Sequence, residues 1–184
     1  MRFASLIPAA LVLMTAAPVY AQSAWEEFTD RQEHFTVNFP GEPNVQPVEY
    51  KTGKGTTLPA KVYTAKDARG GEYKVTVVNY TNTPDEAGTA IAEAAKAIRA
   101  KGEVKYDAAE HTNNIPSQRV TVALAGGRTL LSETLMDHGR LFIMEADTPP
   151  KMPPPAQFQA SMQVLDDNGV AIRYKTRGST ERVR

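Results

Sequence analysis

Three histidines, His34, His111 and His138, are the side chains best suited to acid–base or metal chemistry in a chain that contains no cysteine. A metal site needs ligands that converge, and none of the three has a partner at a ligand spacing such as i, i+4 on a helix. Asp137-His138 is the strongest local pair and Glu110-His111 the second. Each is a single dipeptide, so the spacing favours scattered surface histidines. A nucleophilic serine needs a base and a sharp strand-to-helix turn, and the chain has no Gly-x-Ser-x-Gly elbow. Ser161 falls in a predicted helix, where packing or a local hydrogen bond to the preceding turn is its expected role. Gly70-Gly71 and Gly126-Gly127 lack the lysine and the strand–loop–helix setting of a phosphate-binding loop and read as hairpin turns. Among 21 acidic residues no carboxylate pair can be singled out for glycoside chemistry. The missing thiol excludes cysteine catalysis, disulfide exchange and thiolate metal sites. No catalytic, cofactor-binding or metal residue is therefore assigned, and no cofactor is expected.

The elements that would position any site are easier to read. Phe35, Val37 and Phe39 alternate with polar residues, which predicts a strand with three large apolar side chains on one face, ended by Pro40-Gly41. Further strands are expected over Val45–Thr52, Leu58–Lys66 and Glu72–Tyr80, with a tight hairpin at Ala68-Arg69-Gly70-Gly71. Thr83-Pro84-Asp85-Glu86 combines a capping threonine, a proline at the first helical position and a glutamate three residues after the cap. The helix it opens carries Ala87, Ile91, Ala94 or Ala95, and Ile98 on one small-residue face suited to close packing on a sheet, with Gly102 at the expected C-cap. Strands over Glu103–Asp107, Gln118–Leu124, Arg128–Met136 and Leu141–Ala146 follow. Turns at Ala125-Gly126-Gly127 and Asp137-His138-Gly139-Arg140 make the last three consecutive hairpins, hence antiparallel. Thr148–Pro155, with five prolines, should lie extended on the surface outside any ladder. A shorter helix is predicted from Ala156 to Leu165, with Phe158, Met162 and Leu165 on one face. The expectation is a single α+β domain over residues 22–167, with about seven or eight antiparallel strands and two helices.

The two ends have compositions of their own. Arg2, a fifteen-residue apolar run from Phe3 to Ala17, and Val19-Tyr20-Ala21 follow the order of a secretory signal peptide, residues 1–21, cut before Gln22. The run is interrupted by Ser5, Pro8 and Thr15 and is shorter than the roughly 20 residues a membrane span needs. A lone Arg2 argues against the twin-arginine route, and the absence of cysteine against a lipid anchor. Cutting 21 residues from 184 leaves 163, enough for a core without disulfide staples. Of the 21 basic residues one, Arg2, goes with the leader, leaving 20 against 21 acidic. A near-neutral chain has no long-range pull on nucleic acid or anionic membrane, so no nucleic-acid partner is expected. Residues 168–184 form a basic tail expected to be disordered, with at most local contact to anionic surfaces.

The order of these elements resembles a known family. Phe35-x-Val37-x-Phe39-Pro40-Gly41-x-Pro43, a strand ending in Tyr80 before the capped helix, hairpins at Gly126-Gly127-Arg128 and His138-Gly139-Arg140, and Phe158-x-x-Ser161 together resemble exported bacterial proteins of the PsbP-like α/β/α sandwich type, over most of residues 25–167. The resemblance implies a central antiparallel sheet with helices on its faces and an accessory or interaction role, and it carries no catalytic residues. Met162, where a second aromatic often follows the serine, and the basic tail depart from the pattern.

Two functions follow as expectations. The first is an accessory or binding protein of the cell envelope, periplasmic or secreted. It would engage an envelope protein or small ligand through a sheet edge, the hairpin ends or the proline tract. The alternative is a hydrolase or metal-dependent enzyme whose site is assembled from distant loops; a concavity gathering His138 or His111 with two or more carboxylates would favour it. Thr148–Pro155 is read first as a rigid connector, and Trp25 as a core anchor rather than a ligand-stacking residue.

Overall fold

The alternation at Phe35, Val37 and Phe39 produces the expected strand, and all three rings and side chains are fully buried. The computed structural model describes residues 25–172, so the segment read as a signal peptide and the tail from residue 173 lie outside the described residues. In chain order the elements are β1 (Trp25–Asp30), β2 (Phe35–Pro40), β3 (Asn44–Lys51), β4 (Thr57–Lys66), β5 (Glu72–Asn79), α1 (Pro84–Arg99), β6 (Glu103–Thr112), β7 (Ile115–Ala123), β8 (Thr129–Asp137), β9 (Arg140–Thr148), α2 (Ala156–Gln159) and β10 (Gln163–Val164). Seven strands form one antiparallel sheet in the order β3-β4-β5-β9-β8-β7-β6. It consists of two meanders, β3-β4-β5 and β6-β7-β8-β9, joined by β5 against β9 with Glu72 opposite Asp147 and Asn79 opposite Arg140. The α+β class with a central antiparallel sheet of seven strands is as expected.

The two faces of this sheet are covered differently. On one lies α1, whose Ala90, Ala94, Ala95 and Ile98 are buried against Leu58, Ala60, Val78, Tyr80, Val120, Val122, Leu130, Leu141 and Ile143. Small side chains bring the helix axis close, so the larger strand residues fill the space beneath it. On the other face sits a second, three-stranded sheet, β1-β2-β10, with α2 beside it. Between the sheets, Phe35 stacks edge-on against Tyr63 and Phe142, and Phe158 fits between Phe39 and Tyr73. Helices thus lie on both sides of the central sheet, as expected, and on one side the short α2 shares the face with a small sheet that was not foreseen. Trp25 packs edge-on against Tyr73 at the border of this core, the anchoring role expected of it.

Several local readings also change. Trp25–Asp30, read only as a lead-in, is a strand paired with β2. The strand expected to stop at Asp107 continues to Thr112, because Asn113 and Asn114 both adopt the left-handed conformation (φ 52° and 64°) and close a two-residue hairpin to Ile115. His111, which the expected strands left in the connection between Asp107 and Gln118, is therefore on an edge strand, opposite Pro116. The late helix ends at Gln159 instead of Leu165. Ser161 Oγ donates to the Phe158 carbonyl and accepts the Asn38 N–H at 2.8 Å, and the chain then turns into β10 against β2. The proline tract does not run straight. Thr148 is the last residue of β9, Lys151 is left-handed (φ 66°), and the Met152 N–H bonds back to the Pro149 carbonyl. Pro149 and Pro150 lie over the turn glycines Gly70 and Gly127, and buried Pro155 leads Phe158 into the core. Packed structure also continues past the expected boundary at Asp167: Leu165 bridges to Ala171, the Ile172 N–H donates to the Val164 carbonyl, and Ile172 packs on the inter-sheet core.

The signals around α1 were right in place and different in mechanism. The Thr83 hydroxyl makes no capping bond, and Glu86 does not reach back to it. Instead the Glu86 carboxylate accepts from Thr52 and Thr56, both at 2.6 Å, tying the β3–β4 turn to the helix start. Gly102 is required by close approach rather than capping, since a Cβ there would run into the Ala123 carbonyl oxygen.

Candidate functional site

The helix crosses its face of the sheet obliquely, over Leu58 and Val78 near one end and over Val122 and Leu130 near the other. It leaves uncovered the corner where the end of β4, the start of β5, the start of β8 and the end of β9 meet. That corner is an open basin of about 620 Å³, within the range typical of small-molecule sites. Strand alternation decides which side chains enter it. Thr64, Lys66, Glu72, Lys74, Leu130, Glu145 and Asp147 belong to the helix-side face, while Ala65 and Tyr73 turn to the opposite core and leave their backbone to the basin. Lys101, just past α1, and Leu124, just past β7, close one side; Glu42 and Asn44 form the opposite rim.

The charges in the basin are ordered. Glu145, whose side chain is only 8% exposed, is bonded by both Lys74 and Lys101. Burial by itself would push the Glu145 carboxyl up, but the charge of Lys74 and the bond from Lys101 outweigh it and hold the group below the usual carboxylate range. Arg128 donates from Nε to Asp147 at 2.8 Å, and Lys66 reaches Glu72 at 2.6 Å. That last bond holds the Glu72 carboxyl below its ordinary value. None of these residues was singled out in the sequence. Lys101 and Glu145 are 44 positions apart, and no spacing rule links them.

The histidines fall elsewhere. His34 and His138, with Asp137, Asp166 and Asp167, line a smaller cleft of about 200 Å³ between the β8–β9 hairpin and the turn after β10. His138, left-handed at φ 43°, donates from Nδ1 to the Asp137 carboxylate at 2.7 Å. His34 donates from Nδ1 to the Leu165 carbonyl at 3.2 Å, with Asp167 at 3.8 Å. The pair Asp137-His138 thus meets carboxylates in a concavity. His111 does not join it, being exposed on β6, and Glu110 beside it points the other way to Arg119 and Tyr106. Among the described residues no three His, Asp or Glu side chains come together in a way that could hold a metal ion. A further polar cluster was not foreseen: Glu133, 1% exposed on β8, is bonded by Thr112, Ser117 and Arg119. It closes the hairpin layer of β6-β7-β8 on itself.

No protein-family model matches the chain, and no curated protein matches it. Among solved structures, the chain is similar to the solution structure of cyanobacterial PsbP (CyanoP) from Synechocystis sp. PCC 6803. The TM-score is 0.46 at 13% identity, covering 82% of this chain and 98% of that one. A likeness at that level transfers no residue role to this chain.

Proposed function

We propose that this chain is an exported binding protein of the cell envelope, which holds a small ligand in the basin beside Glu145 without transforming it. The observation that carries this reading is the basin itself: a concavity of ligand size whose buried carboxylate is committed to two ammonium groups. A carboxylate held below its ordinary range is a poor proton acceptor near neutrality, so the arrangement suits recognition better than acid–base catalysis. The site lies on the face of the sheet rather than at its edges, hairpin tips or proline tract. Export rests on the leader pattern of residues 1–21, and among the described residues no helix is long and apolar enough to cross a membrane. Intact mass of the protein recovered from its own cells tests that part; a species beginning at Gln22 is expected, and one retaining residues 1–21 refutes it. The binding part is tested by a fragment screen observed through backbone amide NMR. Shifts should concentrate at Lys74, Leu130, Glu145 and Asp147. Shifts confined to His34, His138 and Leu165 would remove the basin from consideration.

One observation favours a second reading. With Nδ1–H given to Asp137, the His138 ring presents its Nε2 lone pair, the state of a general base for hydrolysis. Turnover of activated esters that disappears in His138→Gln would establish it; rates unchanged by that substitution would end it.

A further inference from the structure

Taking the basin to be the binding site, we infer that its ligand is a monoanionic amphiphile, with the head between Lys74 and Lys101 and the apolar body along Leu124 and Leu130. The argument begins from charge. Around Glu145 two cations share one anion, which leaves a local excess of one positive charge there. Lys66 with Glu72, and Asp147 with Arg128 from outside the lining, are one to one and cancel, and the one remaining charge, Glu42, stands apart on the opposite rim, so the excess is local to Glu145. The donor count agrees with the charge. Each ammonium has three N–H groups, and Glu145 takes a bond from each lysine, while the Lys74 and Lys101 side chains remain 36% and 40% exposed. Donors are thus left over for a second carboxylate at the place where the protein's own is already bound.

The remaining wall is of a different kind. Half-buried Leu124, the edge of the largely buried Leu130 and the methylene stems of the lysines offer apolar surface, with strand backbone of Ala65 and Tyr73 beneath. Glu42, exposed on the rim, disfavours a second anionic group at the mouth. A cation would meet two lysines beside Glu145, and a purely polar anion would leave Leu124 and the lysine stems uncovered. A single anionic head on an apolar body satisfies both ends.

The test compares octanoate, 1-octanol and octyltrimethylammonium, probes of one chain length and three charges, in amide NMR titrations of the wild type, Lys101→Gln and Glu145→Gln. Octanoate should bind about tenfold or more tightly than 1-octanol. Lys101→Gln should bring octanoate down toward 1-octanol. Glu145→Gln, which removes the internal competitor and raises the local excess from one charge to two, should tighten octanoate several-fold. A merely structural role for Glu145 gives loss rather than gain. Binding of 1-octanol should change far less than that of octanoate, and amide spectra that match the wild type away from the basin certify the folds of both variants. Equal binding of all three probes, indifferent to Glu145→Gln, overturns the charge inference and leaves the basin as a binding site. Preference for the cation overturns it as well. No shift in the basin with any probe overturns this inference together with the reading it rests on.

Discussion

Replacing both Lys74 and Lys101 by methionine strips the cations from Glu145 while keeping most of the side-chain volume along the basin wall. Each single replacement leaves one ion pair on a lysine that is more than a third exposed, and should cost about 1 kcal/mol or less. The double replacement leaves a carboxylate that is 8% exposed without a counter-charge, and stranding a buried charge in this way costs about 3–5 kcal/mol. The two changes should therefore be strongly non-additive. The pH dependence carries the mechanism. In the native protein the Glu145 carboxyl sits below its ordinary value, so its stabilisation is present above the unfolded value, about 4.3, and is lost as pH falls through the folded value. In the double variant burial acts alone and raises the folded value, so the penalty grows as pH rises above about 4.3 and vanishes where the carboxyl is protonated in both states. The assay is urea unfolding followed by fluorescence of Trp25, the chain's one tryptophan, which packs on Tyr73 and loses that contact on unfolding. The deficit should be full at about pH 7 and shrink as pH falls toward the unfolded value of about 4.3 and on through the lower folded value. A deficit independent of pH, or one equal to the sum of the single variants, would refute the argument.

Three further outcomes are expected. Ser161→Ala removes the acceptor of the Asn38 N–H and the bond to the Phe158 carbonyl, and should lower the urea midpoint by the equivalent of about 1–3 kcal/mol at unchanged slope. Ala94→Leu adds volume at a fully packed position of α1, in the cluster with Val78, Leu141 and Ile143, and should cost about 1–3 kcal/mol, read as a drop in thermal midpoint; an unchanged midpoint would mean the helix can lift without loss. A chain ended after Asp167 loses the bridge from Leu165 to Ala171 and the packing of Ile172, so amide exchange at Val164 and Leu165 should quicken, while a chain ended after Ile172 keeps both contacts and the native exchange rates.

What the residues disclosed and what they hid follow from the range of the interactions. Strands with strict alternation, such as Phe35–Phe39, and turns with adjacent glycines were legible because one local rule governs each. Trp25–Asp30 was not, since its two large apolar residues, Trp25 and Phe28, stand three apart and fit neither period two nor a full helix. Phe158, Met162 and Leu165 have helical spacing, yet the Ser161 hydroxyl captures the Asn38 N–H, and the pull of an unpaired β2 edge draws Gln163–Val164 out of the helix. Glu86 and Gly102 were noticed for local capping, while their work is done through Thr52, Thr56 and Ala123, far along the chain. The histidine cleft was half visible: Asp137-His138 is a dipeptide, but His34 and Asp167 join it only through the fold. The basin was invisible, because Lys74, Lys101 and Glu145 come from three separate elements and none is unusual where it stands.

The seam between β5 and β9 has a kinetic consequence. Every other pairing in the large sheet joins strands adjacent in sequence, so both meanders can assemble from short loops, whereas β5 against β9 must close a loop reaching from Asn79 to Arg140. Lys74 is on one side of that seam and Glu145 on the other. A refolding chain can therefore hold most of its hairpins while having no basin at all, and the ion triad is assembled in the slow, non-local step. Ligand capture during refolding would then time the joining of the halves rather than the growth of the strands.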